Sequence, residues 1–438
     1  MTSAPTYPLP REHAQRRALT AEAHARPPER LEIPARASYL AVLTDTATRD
    51  SVWEALATLA ARFGAQPPNP ASDHYSEAMG RFRLRAERHT EFVRFTVLVA
   101  EAPRLAAPFD DTALDALPAD WVAHLPGELL VALHVAALAE SALPQDSVAF
   151  AHSVFPEGLI GGEVAGGAAA AFTDMRLGPD GFGRLLLIDR STTPGQAGRA
   201  MQRLLEVETY RMLALLALPI ARAMLPRLRE SEDALAGITT GLVRSAEPDE
   251  PALLDKLTHL AAEIESRQAA SLFRLSAAAS YTDLVERRIE ELRERRIEGV
   301  QTFREFTERR FVPAMKTCAS VVARQAALSA RVTQAARLLS TRVGLTREQQ
   351  NQALLASMDR HARLQIRLQE TVEGLSVAAI TYYVVSLIGH LAEGGETLGY
   401  ATHPALVMAV SIPMVAFVVA FFGRRIRARI AQAAEENP

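Results

Sequence analysis

The chain has 438 residues, 48% hydrophobic and 23% charged, which excludes a wholly disordered chain and allows a sizeable core. Its formal net charge of −3 argues against a general nucleic-acid-binding protein. Cys318 is the only cysteine, so an intrachain disulfide, a thiolate metal cage and a redox pair are excluded.

In chain order, residues 1–36 are rich in proline and charge, with a short helical signal near Glu12 to His24 that stops at Arg26-Pro27-Pro28. Met1 to Arg11 has no apolar run for a signal peptide, so the bulk of the chain is expected in the cytoplasm. Tyr39 to Thr44 reads as a buried strand and Arg49 to Phe63 as an amphipathic helix, before a loop marked by Pro67, Pro68 and Pro70. Phe82 to Arg88 and Glu91 to Val99 read as strands, and Leu129 to Leu138 reads as either strand or helix, with strand favoured. Ala170 to Leu177 and Phe182 to Ile188 flank Gly178-Pro179-Asp180-Gly181 and suggest a hairpin. Residues 37–193 are therefore expected to form a mixed α and β domain.

After Pro194 the pattern turns helical. Met212 to Ala221 is apolar but only 10 residues long, which suits a buried helix kinked at Pro219 and is too short to span a bilayer. Pro248 and Pro251 mark a break. Leu253, Leu257, Leu260 and Ile264 step at helical spacing, as do Ile289, Leu292, Arg296, Val300 and Phe303. With Pro313 and Gly344 as breakpoints, residues 194–372 are expected to pack as a bundle of long antiparallel helices, a coiled-coil bundle. The last, Thr346 to Val372, leads towards the first of two uncharged stretches.

Those stretches are Gly374 to Ala392, 19 residues, and Thr397 to Gly423, 27 residues. Each reaches the length of about 20 apolar residues that a spanning helix needs. The joining segment is acidic and lacks arginine, whereas Arg360, Arg363 and Arg367 precede the pair and Arg424, Arg425, Arg427 and Arg429 follow it. The positive-inside rule then puts both ends in the cytoplasm. The expected architecture is an α+β cytoplasmic domain, a long-helix bundle, a two-helix transmembrane hairpin over 373–423, and a basic cytoplasmic tail over 424–438. Within the first span, Ser376, Ala379, Tyr383, Ser386 and His390 step by three and four along one helix face. Polar side chains in hydrocarbon must meet a partner helix or water, so this stripe is either a helix contact within an oligomer or a pore lining.

No enzyme motif survives inspection. Gly158 to Gly167 lacks the lysine and hydroxyl of a phosphate loop and reads as an irregular strand edge. The histidines form no metal-binding pair, and no nucleophile elbow occurs. His89 is crowded by ionisable neighbours, which fits a hydrogen-bonded structural histidine better than an acid or base. Asp174, Arg176, Asp180 and Arg184 are placed to pair across the hairpin.

Several runs together resemble a bacterial, membrane-anchored family of unknown function, domain of unknown function 3422. They are Leu19-Thr20-Ala21-Glu22-Ala23-His24-Ala25-Arg26-Pro27, Glu87-Arg88-His89-Thr90-Glu91-Phe92, Thr173-Asp174-Met175-Arg176 with Asp180-Gly181-Phe182, Gln196-Ala197-Gly198-Arg199 with Gln202 to Met212, and Gly374 to Tyr383. The resemblance implies kinship and topology without an activity. Residues of its first three blocks, His24, Arg26, Arg88, His89, Asp174 and Arg176, make a candidate cytoplasmic site. The layout is also similar to CorA-type magnesium channels, pentamers whose first span lines the pore and ends in Gly-Met-Asn. Here that place reads Ile388-Gly389-His390-Leu391-Ala392, so only the glycine is kept. The reading that results is a two-pass inner-membrane protein, non-enzymatic and homo-oligomeric, with the bilayer as partner. It implies no cofactor, no resident metal and no nucleic acid. The alternatives are permeation of a divalent cation or another ion, and an unrecognised ligand-binding or hydrolase activity within 37–190.

Overall fold

The structure, a computed structural model, describes residues 10–17, 19–20, 30–244, 249–397 and 403–435. His24 and Arg26 lie outside the described residues. The chain divides into two compact units, 1–336 and 337–438.

In the first unit, β1 (Ala35–Leu43) leads to α1 (Thr46–Arg62), then β2 (His74–Met79), β3 (Phe82–Arg88) and β4 (Phe92–Val99). There follow α2 (Ala119–Ala123), β5 (Glu128–Ala139), α3 (Ser147–Val154), β6 (Ile160–Val164), β7 (Ala169–Thr173) and β8 (Gly183–Asp189). The eight strands form one sheet in the order β2-β3-β4-β1-β5-β8-β7-β6, with β5 and β8 parallel and the other pairs antiparallel.

Side chains alternate across this sheet, so each face acquires its own cover. On one face Val93, Phe95 and Val97 pack with Trp53, Leu56 and Leu59 of α1 and Trp121 of α2. Farther along, Ala136, Phe172, Leu186 and Ile188 pack with Phe150 of α3. Each fully buried Leu or Phe here contributes roughly 1.5–3 kcal/mol. The opposite face meets α4 (Pro194–Leu215), whose Leu204 and Val207 lie against Leu133 and Leu185. Thr193 caps α4 through the Gln196 amide, with Pro194 in the first turn as expected. Next come α5 (Ala217–Arg244), with Leu216 at the break and Pro219 in its first turn, and α6 (Glu250–Glu291), which packs along α4 and α5.

Several expectations require correction. The strand β2 lies where only loop signals stand, because its alternation is carried by Tyr75 and Met79 alone. The helical spacing from Ile289 to Phe303 does not produce a helix: α6 ends at Glu291, and Arg293 takes φ +48°. Residues 292–302 instead lie along the outer edge of β6. There the Gly161 and Glu163 amides donate to the Gln301 and Arg295 carbonyls, at 2.8 and 3.0 Å, and the Arg295 amide returns a bond to Glu163 at 2.8 Å. The glycine-rich run permits this approach, since a Cβ on Gly162 would stand 2.8 Å from the Arg295 carbonyl oxygen. Main-chain pairing at an open sheet edge outweighs a local helical preference.

Pro313 and Gly344 do not end helices either. α7 (Phe303–Thr397) runs through both. Phe311, Met315, Cys318 and Val321 are all buried on one side of it, and packing of that kind sustains a helix against one lost backbone bond. In the second unit, the remainder of α7 is followed by α8 (Pro404–Glu435). Both helices contain a stretch long and apolar enough to cross a membrane.

Candidate functional site

In the first unit the buried charges Arg85, Glu87, Arg94 and Glu206 gather on the sheet face that meets α4. The β3–β4 register sets Glu87 opposite Arg94 and Arg85 opposite Thr96, and all four side chains point to that face. The Arg85 Nε donates to Glu87 Oε1 at 2.6 Å, and the Arg94 Nε to Glu87 Oε2 at 2.9 Å. Arg94 Nη1 then reaches Glu206 Oε1 of α4 at 2.8 Å, and Gln202 Nε2 donates to the same oxygen at 2.7 Å. Arg288 of α6 binds the other Glu206 oxygen and, at 2.9 Å, Glu291, which also accepts from Arg203. The result is an alternating chain, Arg85–Glu87–Arg94–Glu206–Arg288–Glu291–Arg203, tying two strands to two helices.

Burial favours the neutral carboxyl at Glu87, but Arg94 and Arg85 outweigh it and hold the pKa below its usual value. Glu206 shows the same balance: burial raises it, and Arg94, Gln202 and Arg288 lower it further than burial lifts it. Both are therefore anions at neutral pH and unsuited to donating a proton. Tyr39 beside them donates no proton either: burial raises its pKa, and its hydroxyl pairs with Thr209 at 2.7 Å. The cavity among Tyr39, Glu87, Arg94 and Gln202 measures about 20 Å³, room for a single water. This chemistry fastens helices to a sheet; it has no space for a substrate.

A second assembly brings together Ser38, His134 and Asp180. Ser38 Oγ stands 2.9 Å from His134 Nδ1, and His134 Nε2 stands 3.9 Å from Asp180. Ser38 is wholly buried, and its oxygen already accepts the Leu114 amide at 2.9 Å. It therefore cannot meet a substrate as a nucleophile. The His134 ring stacks on Phe182 with centroids 4.0 Å apart, and burial lowers its pKa to about 4, so it is neutral at pH 7.

The described residues of the expected cytoplasmic site do not converge. Arg88 lies 4.3 Å over the Trp53 ring, donates to the Pro70 and Ser72 carbonyls, and pairs with Asp73 at 3.2 Å. His89 stacks on Phe92, with Nε2 3.8 Å from Glu87. Asp174 accepts the Arg176 amide at 3.1 Å, while the Arg176 guanidinium pairs with Glu157. Asp180 does pair with Arg184, at 3.2 Å. Four strands separate β3 from β7 in the sheet, a spacing of about 24 Å at the usual strand interval. Arg88 and His89 are thus remote from Asp174 and Arg176. Among the described residues, no three His, Cys, Asp or Glu side chains are grouped to hold a metal ion.

In the second unit, α7 turns one face towards α8. Thr381, Val385, Gly389 and Ala392 form it, and Met408 of α8 sits against Gly389, where a Cβ would stand 2.7 Å from the Met408 sulfur. Ser376, Ala379, Tyr383 and His390 are exposed on the other side of the helix, and Ser386 is half-buried at its margin. Leu387, Leu391, Leu406, Met414 and Phe417 are also exposed.

A family model described as a protein of unknown function (DUF3422) matches residues 11–430. No curated protein and no solved structure matches the chain. The chain belongs to that family of unknown function.

Proposed function

We propose that this DUF3422 protein is a two-pass inner-membrane protein whose large first unit stays in the cytoplasm, as a non-enzymatic, self-associating module held at the bilayer. The observation that carries this reading is the apolar helix pair: Leu387, Leu391, Leu406, Met414 and Phe417 are each 63–72% exposed, a surface suited to lipid and costly in water. The arginines before and after the pair, against an acidic joint, favour cytoplasmic ends. The non-enzymatic part rests on the ion chain, whose charges are consumed by one another around a cavity the size of a water.

The test is the membrane fraction after alkaline extraction, combined with reporters placed at Gly395 and after Pro438. The protein should remain with the membrane, the Gly395 reporter outside and the terminal one inside. Release into the soluble fraction, or a periplasmic tail, overturns the reading. CorA-like permeation is a second reading, favoured by the polar stripe on the side of α7 away from α8. In a Cys318→Ser background, Tyr383→Cys should then react with a membrane-impermeant thiol reagent; no reaction removes that reading.

A further inference from the structure

We infer that a second copy of this chain, parallel and in register, packs along one face of α7 from Leu354 to His390; the inference rests on the membrane reading above. In the segment before the span, Leu354, Met358, His361, Gln365, Leu368 and Val372 recur at alternating intervals of four and three, the seam of a heptad. Leu354, Met358, Leu368 and Val372 are 61–66% exposed, so nothing in their own unit covers them. Leu355 and Leu364 flank the seam on either side, and of the large apolar residues between 354 and 372 only Ile366 lies off it.

Charge identifies the occupant. Asp359, Arg360, Arg363, Arg367, Glu370 and Glu373 all fall at the three outer heptad positions, and Asp359 pairs with Arg363 there at 2.7 Å. No charge occupies a seam or flanking position from Gln350 to Val372. In a parallel, in-register pair of identical helices each seam residue meets its own copy, so a charge on the seam would face a like charge, whereas a seam made for an unrelated helix can be answered by the opposite charge. His361 and Gln365 interrupt the apolar seam. Polar residues at such positions fix register, because any slip would set them against Met358, Leu368 or Val372.

The face continues into the apolar stretch. At about 100° per residue, Ser376, Ala379, Tyr383, Ser386 and His390 project along the same side as Leu354 and Val372. That side lies opposite Thr381, Val385 and Ala392, which face α8. A partner following this face must therefore run about 54 Å, covering leucines in water and hydroxyl and imidazole groups in lipid. It must itself be a helix that enters the membrane at the same level, and α7 of a second copy meets that requirement.

The experiment uses the full-length Cys318→Ser protein in native membranes, with single cysteines along 361–372 and mild oxidation. Gln365→Cys, Leu368→Cys and Val372→Cys should yield disulfide-linked dimers roughly tenfold more than Arg363→Cys, Arg367→Cys and Glu370→Cys, whose Cβ atoms would lie beyond disulfide reach. Leu368→Glu should abolish the oligomer in mild detergent, and mixing it with Leu368→Lys should restore it. Equal linkage on both faces, maxima on the charged face, or no linkage in protein retained by the membrane overturns the seam while membrane tethering stands. Protein found in the soluble fraction overturns tethering itself.

Discussion

Glu206 and Tyr383 are opposite cases. Glu206 is 3% exposed, with Arg94, Arg288 and Gln202 on its two oxygens, and every one of those partners comes from its own unit. Tyr383 is 73% exposed on a helix whose neighbours are apolar, and α8 covers a different side. The first unit thus pairs the charges of the ion chain and buries the apolar side chains of its sheet internally, while Leu177, Leu272 and Phe273 remain exposed elsewhere on it. The second leaves both kinds open, and open surfaces of that size require a different solvent or another chain.

This contrast can be broken by substitution. The largest effect is expected for Glu206→Ala, which removes three bonds to a buried carboxylate while leaving Arg94 with Glu87 and Arg288 with Glu291, and should cost about 3–5 kcal/mol in denaturant unfolding of the detergent-solubilised chain. A loss below about 1 kcal/mol would mean that water reaches these charges. Next is the pH dependence set by His134. Its folded pKa, about 4, lies below the ordinary 6.5, so the stabilisation is complete above pH 6.5 and declines as pH falls towards 4. Between pH 6.5 and 5 the decline should reach roughly 2 kcal/mol, before Glu87 and Glu206 begin to lose their charge, and His134→Gln should flatten it. Gly161→Ala should cost roughly 1–2 kcal/mol, since the new Cβ would stand 2.2 Å from the Ala171 carbonyl oxygen, a main-chain atom held by the sheet. The smallest effect is expected for Gly389→Ala. There the obstructing atom is the flexible Met408 sulfur, and the cost should stay under about 1 kcal/mol. A large loss at Gly389 would mean that the helix pair is as tightly fixed as the sheet.

Strands with dense apolar patterns, such as β1, β4 and β8, were legible because alternation and turn residues agree there. The order of the two uncharged stretches was legible for a similar reason: length and composition suffice. The ion chain was not. Arg85 and Glu87 are separated by a turn from Arg94, and all three by more than a hundred residues from Glu206, so their meeting depends on which strand pairs with which. A signal did exist on β4, where Arg94 is the one charge in an otherwise uncharged strand and stands between Val93 and Phe95, while Arg85 and Glu87 alternate with Leu84 and Ala86 on the adjoining strand. The stripe from Ile289 to Phe303 misled for the converse reason. Its spacing is helical, yet the backbone found partners on β6, and no periodicity of side chains reports a main-chain bond.

The strap formed by residues 292–302 has a consequence for how the molecule is divided in practice. A truncated polypeptide ending at Asp189 or Arg244 would carry all eight strands and look self-sufficient, but the outer amides of Gly161 and Glu163 would be bare. Such an unprotected margin invites the same margin of a neighbouring molecule, so these truncations should precipitate or form ribbons, while a version extended through Gln301 should not.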